Sequence, residues 1–258
     1  DKIFFRSNNL NYISQNIKNL TNNSPANKIF KAINSYSSES ELRFVGGCIR
    51  RIINKEKVND IDMATNLDPQ NICEILKKNK IDYYETGIEH GTITALIDGY
   101  KFEITSLRED ISTDGRHAKV KFSKNWKEDA LRRDFTINSI YSDGEGNLFD
   151  PFDGKKDLEN GLINFIGDAN IRIQEDYLRI LRYFRFQSRL ENPQWDKTTL
   201  KAIKTNSDGL AGISVERVWQ EISKLLVGSS AYETLRYMVT TGINNIIGLN
   251  NSVEGIKG

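Results

Sequence analysis

The stretch "RFVGGCIRRIINKEKVNDIDMATN", residues 43 to 66, decides the fold. It reads as a short strand ending at Gly46-Gly47, a helix that follows at once, and a second strand, "DIDMAT", carrying Asp60 and Asp62. A Gly-Gly pair between strand and helix leaves backbone N–H groups open to a phosphate, and Arg50 lies one turn in. Side chains alternate faces along a strand, so Asp60 and Asp62 point the same way with Cα atoms about 6 to 7 Å apart. Two like charges at that spacing repel unless a cation lies between them. Carboxylates suit Mg²⁺, and a pair of such ions clamps the attacking and leaving oxygens of a phosphoryl displacement. Taken by the spacing alone, a solvated loop after a helix is the commoner setting for an Asp pair.

Working outward, "DYYET", "GTITALIDGY" and "KFEITSLR" read as strands, the last two joined by a hairpin at Asp98-Gly99. Glu103, flanked by Phe102 and Ile104, faces away from both and is a third carboxylate on a strand. "TINSIYSD" and "NLFDPF" form a further hairpin around "GEG". Upstream, Leu10, Ile13, Ile17 and Leu20, then Ile29, Ala32 and Ile33, recur at helical spacing. Beyond Asp157 the strands stop, and "EDYLRILRYFRFQSRL", "KTTLKAIKTN", "VERVWQEISKLLVG" and "AYETLRYMVTTGI" are periodic at the helical repeat. The expected architecture is α+β: a mixed-sheet domain over 1–157, with residues 1–40 as a helical extension, followed by an all-helical domain over 158–258.

With 36 Lys+Arg against 35 Asp+Glu, the net charge of +1 excludes a uniformly basic coat but leaves room for local basic patches. Cys48 and Cys73 are too few for a disulfide scaffold or a zinc site, which fits a reducing cytoplasm. No apolar run approaches the roughly 20 residues of a membrane span, and no secretory pattern opens the chain. Nothing in the sequence assigns an oligomeric state.

Eight motifs occur in the order and at about the spacing of the bacterial class II tRNA nucleotidyltransferases, the CCA-adding enzymes of the polymerase β superfamily: "RFVGGCIR…DIDMAT", "GIEHGTIT", "FEITSLRED", "DGRHAKVKF", "EDALRRDFTINSIY", "FDPFDGKKDL", "EDYLRILRYFRF" and "SVERVWQEISKLL". The chain resembles that family over about residues 42 to 228, and bacterial poly(A) polymerases share the head. The resemblance implies a nucleotidyltransferase head and a helical neck that binds base and RNA. It implies that Gly46, Gly47 and Arg50 hold an incoming triphosphate, that Asp60 and Asp62 bind catalytic Mg²⁺, and that Glu103 is the third carboxylate. It further implies that Arg132, Arg133, Asp134 and Asn138 contact ribose and phosphates. Asp176 and Arg179 would read the base, with Arg182 and Arg185 turned toward the nucleotide. The substrates implied are CTP, ATP and a tRNA 3′ end.

Asp176, Arg179, Arg182 and Arg185 recur every three residues, which on one continuous helix places them along one drifting face beside Leu178, Leu181 and Phe184. An Asp and an Arg one turn apart can offer acceptor and donor to a base edge; the same spacing also describes a surface ion pair. His90 and His117 read as hydrogen-bonding scaffold, and Trp219 with the aromatics of "RYFRF" as core. "DISTDGRHAKVKF" reads as a mobile loop, which by the resemblance is a lever in the switch from C to A addition. The chain departs from the family pattern at Arg51, where the family has Asp after the Arg of the Gly-Gly turn, and it is shorter than family members. Full CCA addition, CC-only or A-only addition, poly(A) addition and an inactive tRNA-binding module are the readings to separate.

Overall fold

The computed structural model describes residues 2–58, 60–113 and 118–249. The chain does not divide at one point: Asp1–Ile111, Lys119–Arg133 and Ile137–Lys155 form one compact unit, and Ser112–Ala118, Asp134–Thr136 and Lys156–Gly258 form the other.

In the first unit, α1 (Lys2–Asn23) and α2 (Ala26–Asn34) lead into β1 (Leu42–Val45), α3 (Gly47–Ile53), β2 (Ile61–Thr65), α4 (Pro69–Lys78), β3 (Asp82–Gly87), β4 (Thr92–Ile97) and β5 (Tyr100–Ser106). A separate pair, β6 (Arg108–Thr113) and β7 (Ala118–Phe122), precedes α5 (Trp126–Leu131), β8 (Tyr141–Ser142) and β9 (Leu148–Phe149). The main sheet runs β3-β4-β5-β2-β1-β8-β9. Its β2–β5 pair is parallel and sets Asp62 opposite Glu103, while the pairs flanking it, β1–β2 and β4–β5, are antiparallel. The β4–β5 hairpin turns at Asp98 (φ 50°) and Gly99 (φ 81°), the two positive-φ positions that an Asp-Gly turn supplies.

Alternation decides which face of the sheet is dry. Leu42, Phe44, Ile61, Met63, Ile93, Phe102 and Ile104 are buried against Ile29 and Ile33 of α2, Ile49 of α3 and Ile72 and Leu76 of α4. Each such side chain contributes about 1.5–3 kcal/mol of transfer free energy. Glu103 lies between Phe102 and Ile104, both fully buried, and is itself exposed, as the alternation predicts.

Two segments differ from the sequence reading. Thr136–Asn138 forms a 3-10 turn in place of a strand, with the Thr136 N–H donating to the Asn164 carbonyl at 3.0 Å; only Tyr141–Ser142 pairs with Leu148–Phe149. "DISTDGRHAKVKF" contains strand residues on both sides, tied by a Lys121–Glu109 ion pair at 3.0 Å. His117 lies outside the described residues.

The second unit contains α6 from its Lys156 onward (Gly154–Glu159 in full), α7 (Ala169–Glu175), α8 (Leu178–Arg189), α9 (Lys197–Asn206), α10 (Val215–Leu226), α11 (Ala231–Thr240) and α12 (Ile243–Ile246). α8 is its axis, burying Ile180, Leu181, Tyr183, Phe184 and Phe186. Phe135, on the short segment that returns to this unit, packs 4.7 Å from Phe165 and 5.7 Å from Phe186. Asp168 and Asp196 cap α7 and α9 by accepting from the N–H groups of Ile171 and Thr199.

Here too the expectation needs correcting. "EDYLRILRYFRF" is not one helix from its start: Glu175 ends α7, the backbone is extended at Asp176 (φ −154°, ψ 104°), and α8 begins at Leu178. Asp competes poorly for helix interiors and well for helix starts. Asp176 accordingly accepts from the N–H of Leu178 through Oδ1 (3.1 Å) and from Arg179 N–H through its carbonyl (3.0 Å). Trp219, read as core, is 60% exposed, on the same side of α10 as the exposed Val215.

Candidate active site

The Gly-Gly turn places three functional groups together. Gly46 has φ +67° and ψ −122°, a conformation open to glycine and strained for residues with a Cβ. At Gly47 an added Cβ would sit 3.4 Å from Asp62 Oδ2 and 3.7 Å from Arg50 Nη2, so the carboxylate and the guanidinium close on the turn from two sides. Beneath it the buried Cys48 thiol is within reach of the carbonyls of Val45 (3.4 Å) and Asp62 (3.5 Å). Burial, with the Asp62 charge adding to it, pushes the Cys48 pKa up to about 12, so the sulfur keeps its proton.

Asp62 is half-buried on β2, and Asp60 stands exposed in the bend just before the strand. Pairing starts at Ile61 opposite Phe102, so Asp60 is not a strand residue as the sequence suggested. The two carboxylates still sense each other. Burial raises the pKa of Asp62 and the Asp60 charge raises it further, against opposing pulls from Arg133, Arg50 and Arg51. Glu103, though exposed on its outer side, is raised first by partial loss of water and then by the Asp62 and Asp60 charges. Two carboxylates whose charge is disfavoured where they stand, with Asp60 beside them, offer oxygen donors that a hard divalent cation would satisfy. No three described His, Cys, Asp or Glu side chains close into a metal cage. An open arrangement is what Mg²⁺ takes when substrate phosphates complete its coordination.

A polar chain runs from the turn into the arginine segment. Arg50 Nη1 donates to Asn138 Oδ1 at 2.6 Å, which fixes Arg50 although Arg51 follows it. Arg133 Nη1 donates to the Asn138 carbonyl at 3.5 Å, while its Nη2 and Nε donate to Asp129 Oδ2 at 3.2 and 3.4 Å. Arg132 Nε donates to Asp129 Oδ1 at 3.0 Å, and the Tyr141 hydroxyl donates to Asp129 Oδ2 at 2.6 Å. Burial alone would raise the Asp129 pKa; Arg133 and then Arg132 overcome it and hold the carboxyl down at about 2. Asp129 and Tyr141 were not singled out by the sequence reading. An Asp three and four residues before two arginines was the available signal.

The first unit thus assembles Gly46, Gly47, Arg50, Asp60, Asp62, Glu103, Arg132, Arg133 and Asn138. The second holds Asp134, Asp176, Arg179, Arg182 and Arg185, but not as one row. Asp134 pairs with Arg182 Nε at 2.6 Å, and Arg185 with Glu221 at 2.9 Å. Arg179 Nη1 donates to Glu175 Oε2 at 2.7 Å and to the Arg172 carbonyl at 2.8 Å. Asp176 has Arg217 at 3.6 Å, across from α10. The helix break at Asp176 separates it from the face carrying the arginines, and Glu175, Arg217 and Glu221 join the set. His90 acts through its backbone: its carbonyl accepts from Arg108 Nη1 at 2.8 Å, and its imidazole lies 3.7 Å from Glu89.

Residues 42–164 match the family model described as "Poly A polymerase head domain", and residues 194–248 that described as "Probable RNA and SrmB- binding site of polymerase A". The chain is 47% identical over 219 residues to the human "CCA tRNA nucleotidyltransferase 1, mitochondrial", covering 83% of this chain and 50% of that protein. It is 44% identical over 225 residues to the Danio rerio protein of the same name, covering 85% and 52%. The crystal structure of the Bacillus stearothermophilus CCA-adding enzyme in complex with CTP superposes with a TM-score of 0.80 at 32% identity, over 90% of this chain and 55% of that one. The chain spans about half the length of the curated relatives it matches. The head model spans the turn, the carboxylates and the arginine network, the second model lies in the helical region beyond them, and with these relatives the chain belongs to the CCA tRNA nucleotidyltransferase and poly(A) polymerase family.

Proposed function

We propose that the chain catalyses template-independent nucleotidyl transfer to the 3′ end of tRNA, adding CCA from CTP and ATP and releasing pyrophosphate. The observation that carries this reading is the convergence of Asp62 and Arg50 on Gly47, with Glu103 in register beside Asp62. Gly46, Gly47 and Arg50 take the triphosphate, with Arg132, Arg133 and Asn138 along it. Asp60, Asp62 and Glu103 would hold Mg²⁺, which when bound supplies Lewis-acid activation of the 3′-hydroxyl and charge stabilisation of the departing pyrophosphate. Asp134, held by Arg182, serves the ribose. Asp176 and Arg179 choose the base, their partners Arg217 and Glu175 fixing how each is presented, with Arg182 and Arg185 as supporting cations. In this division residues 1–157 are the catalytic head and 158–258 the neck. The unpaired thiols of Cys48 and Cys73 suit a reducing compartment such as the cytoplasm.

The test is incorporation of labelled CTP, and separately ATP, into tRNA transcripts ending at the discriminator base, at CC and at CCA, with Asp62→Ala as control. C on the first, A on the second, nothing on the third and nothing in the control is the expected pattern. C alone or A alone would assign half of a divided system, and unlimited A a poly(A) polymerase. RNA binding without incorporation at saturating Mg²⁺ would leave an inactive tRNA-binding module. The Arg50–Asn138 bond speaks against that last outcome, since Arg50 is held without the Asp that Arg51 replaces.

A further inference from the structure

Asp129 is 1% exposed, and both its oxygens are fully engaged. Oδ1 accepts from Arg132 Nε (3.0 Å) and from the backbone N–H of Arg108 (3.3 Å). Oδ2 accepts from the Tyr141 hydroxyl (2.6 Å) and from Arg133 Nη2 (3.2 Å). One carboxylate therefore aims two consecutive guanidiniums, and the Arg133 guanidinium lies 5.4 Å from the Tyr141 ring centroid. Its own position is fixed from the other side. The root of the β6–β7 pair is tied by Ser123 N–H to the Leu107 carbonyl (2.8 Å) and by the Ser123 hydroxyl to Glu128 (2.6 Å), and α5, which bears Asp129, follows directly. Through Arg133 and Asn138 the same array reaches Arg50.

We infer that Asp129, braced by Tyr141, is a positioning residue for triphosphate binding: it fixes Arg132 and Arg133 as a rigid cationic array, so that its removal weakens nucleotide binding although it deletes a negative charge. The inference rests on the proposed function, because the ligand it concerns is the triphosphate assigned there. Two physical accounts give opposite signs. If Asp129 were only a charge near an anion, neutralising it would tighten binding. If it orients the donors, neutralising it releases two arginines into many rotamers and loosens binding.

The experiment is calorimetric titration of CTP with Mg²⁺ into the full chain as wild type, Asp129→Asn, Arg133→Lys and the double variant, each checked for its fold by circular dichroism. The expected result is a Kd raised tenfold or more by Asp129→Asn, and in the Arg133→Lys background a clearly smaller further rise, since Asp129 then has only Arg132 left to orient. Should Asp129→Asn fail to fold, Tyr141→Phe keeps the carboxylate, loses both the 2.6 Å bond to Asp129 and the 3.1 Å bond that Arg133 Nε donates to the hydroxyl, and is expected to weaken CTP in the same direction by a few fold. A folded variant that binds CTP as well as or better than wild type, or losses that add in the double variant, overturns the inference. A wild type that binds no CTP defeats the proposed function itself, and this inference with it.

Discussion

Asp62 and Asp129 carry the same carboxyl into opposite settings. At Asp62 burial and then Asp60 raise the pKa, so the ionised form costs the fold stability above the ordinary carboxylate range. Asp62→Asn is expected to raise the thermal midpoint measured without metal and to lower incorporation by at least about 100-fold; Mg²⁺ should raise the midpoint of the wild type and not of the variant. At Asp129 two arginines hold the pKa at about 2, below the unfolded value of 3.8, so its contribution is present above about pH 4 and is lost as the pH falls toward 2. That is about 2 kcal/mol. Urea unfolding between pH 5 and 2 should show that loss in the wild type and lack it in Asp129→Asn. The strand positions of Asp62 and Glu103 were legible in the sequence through alternation, while a site role for either came from the family resemblance and not from the residues alone. Asp129 was not legible, because one turn before an arginine pair it looks like any surface helix acid, and only its burial distinguishes it.

Among elements, the turn from β1 into α3 is the part that local chemistry dictates most completely. Gly46 must take φ +67° with ψ −122°, and Gly46→Ala should cost about 1–3 kcal/mol of unfolding free energy by chemical denaturation. The β4–β5 hairpin was readable for the same reason, its Asp-Gly pair supplying both positive φ values. What sequence periodicity missed were local interruptions where single groups find hydrogen-bond partners of their own. "EDYLRILRYFRF" has a helical apolar repeat from Tyr177 onward and nothing in it that marks Asp176 as outside the helix, yet α8 begins only at Leu178, whose N–H the Asp176 carboxylate satisfies. "TINSIY" alternates like a strand, yet Thr136–Asn138 is a 3-10 turn, with the Thr136 N–H donating to the Asn164 carbonyl. Trp219 fits the helical repeat and still lies on the outside of α10, because periodicity orders the faces of a helix without saying which of them is covered.

For the molecule as a whole, a net charge of +1 gives no general attraction for RNA; on the function proposed above, tRNA affinity comes from local arginines and is expected to fall steeply with added salt. No described helix is long and apolar enough to cross a membrane. The buried thiol of Cys48 has one more consequence. A maleimide or iodoacetamide reacts with thiolate, and this sulfur is sealed, protonated and set under the Gly-Gly turn. Its alkylation has to wait for α3 to lift from β2, whereas the half-exposed Cys73 is open to reagent in the folded state. The slow phase of a labelling time course is therefore a clock for that opening. On the function proposed above, saturating CTP should slow it by a factor that grows exponentially with the free energy with which the nucleotide locks the turn shut.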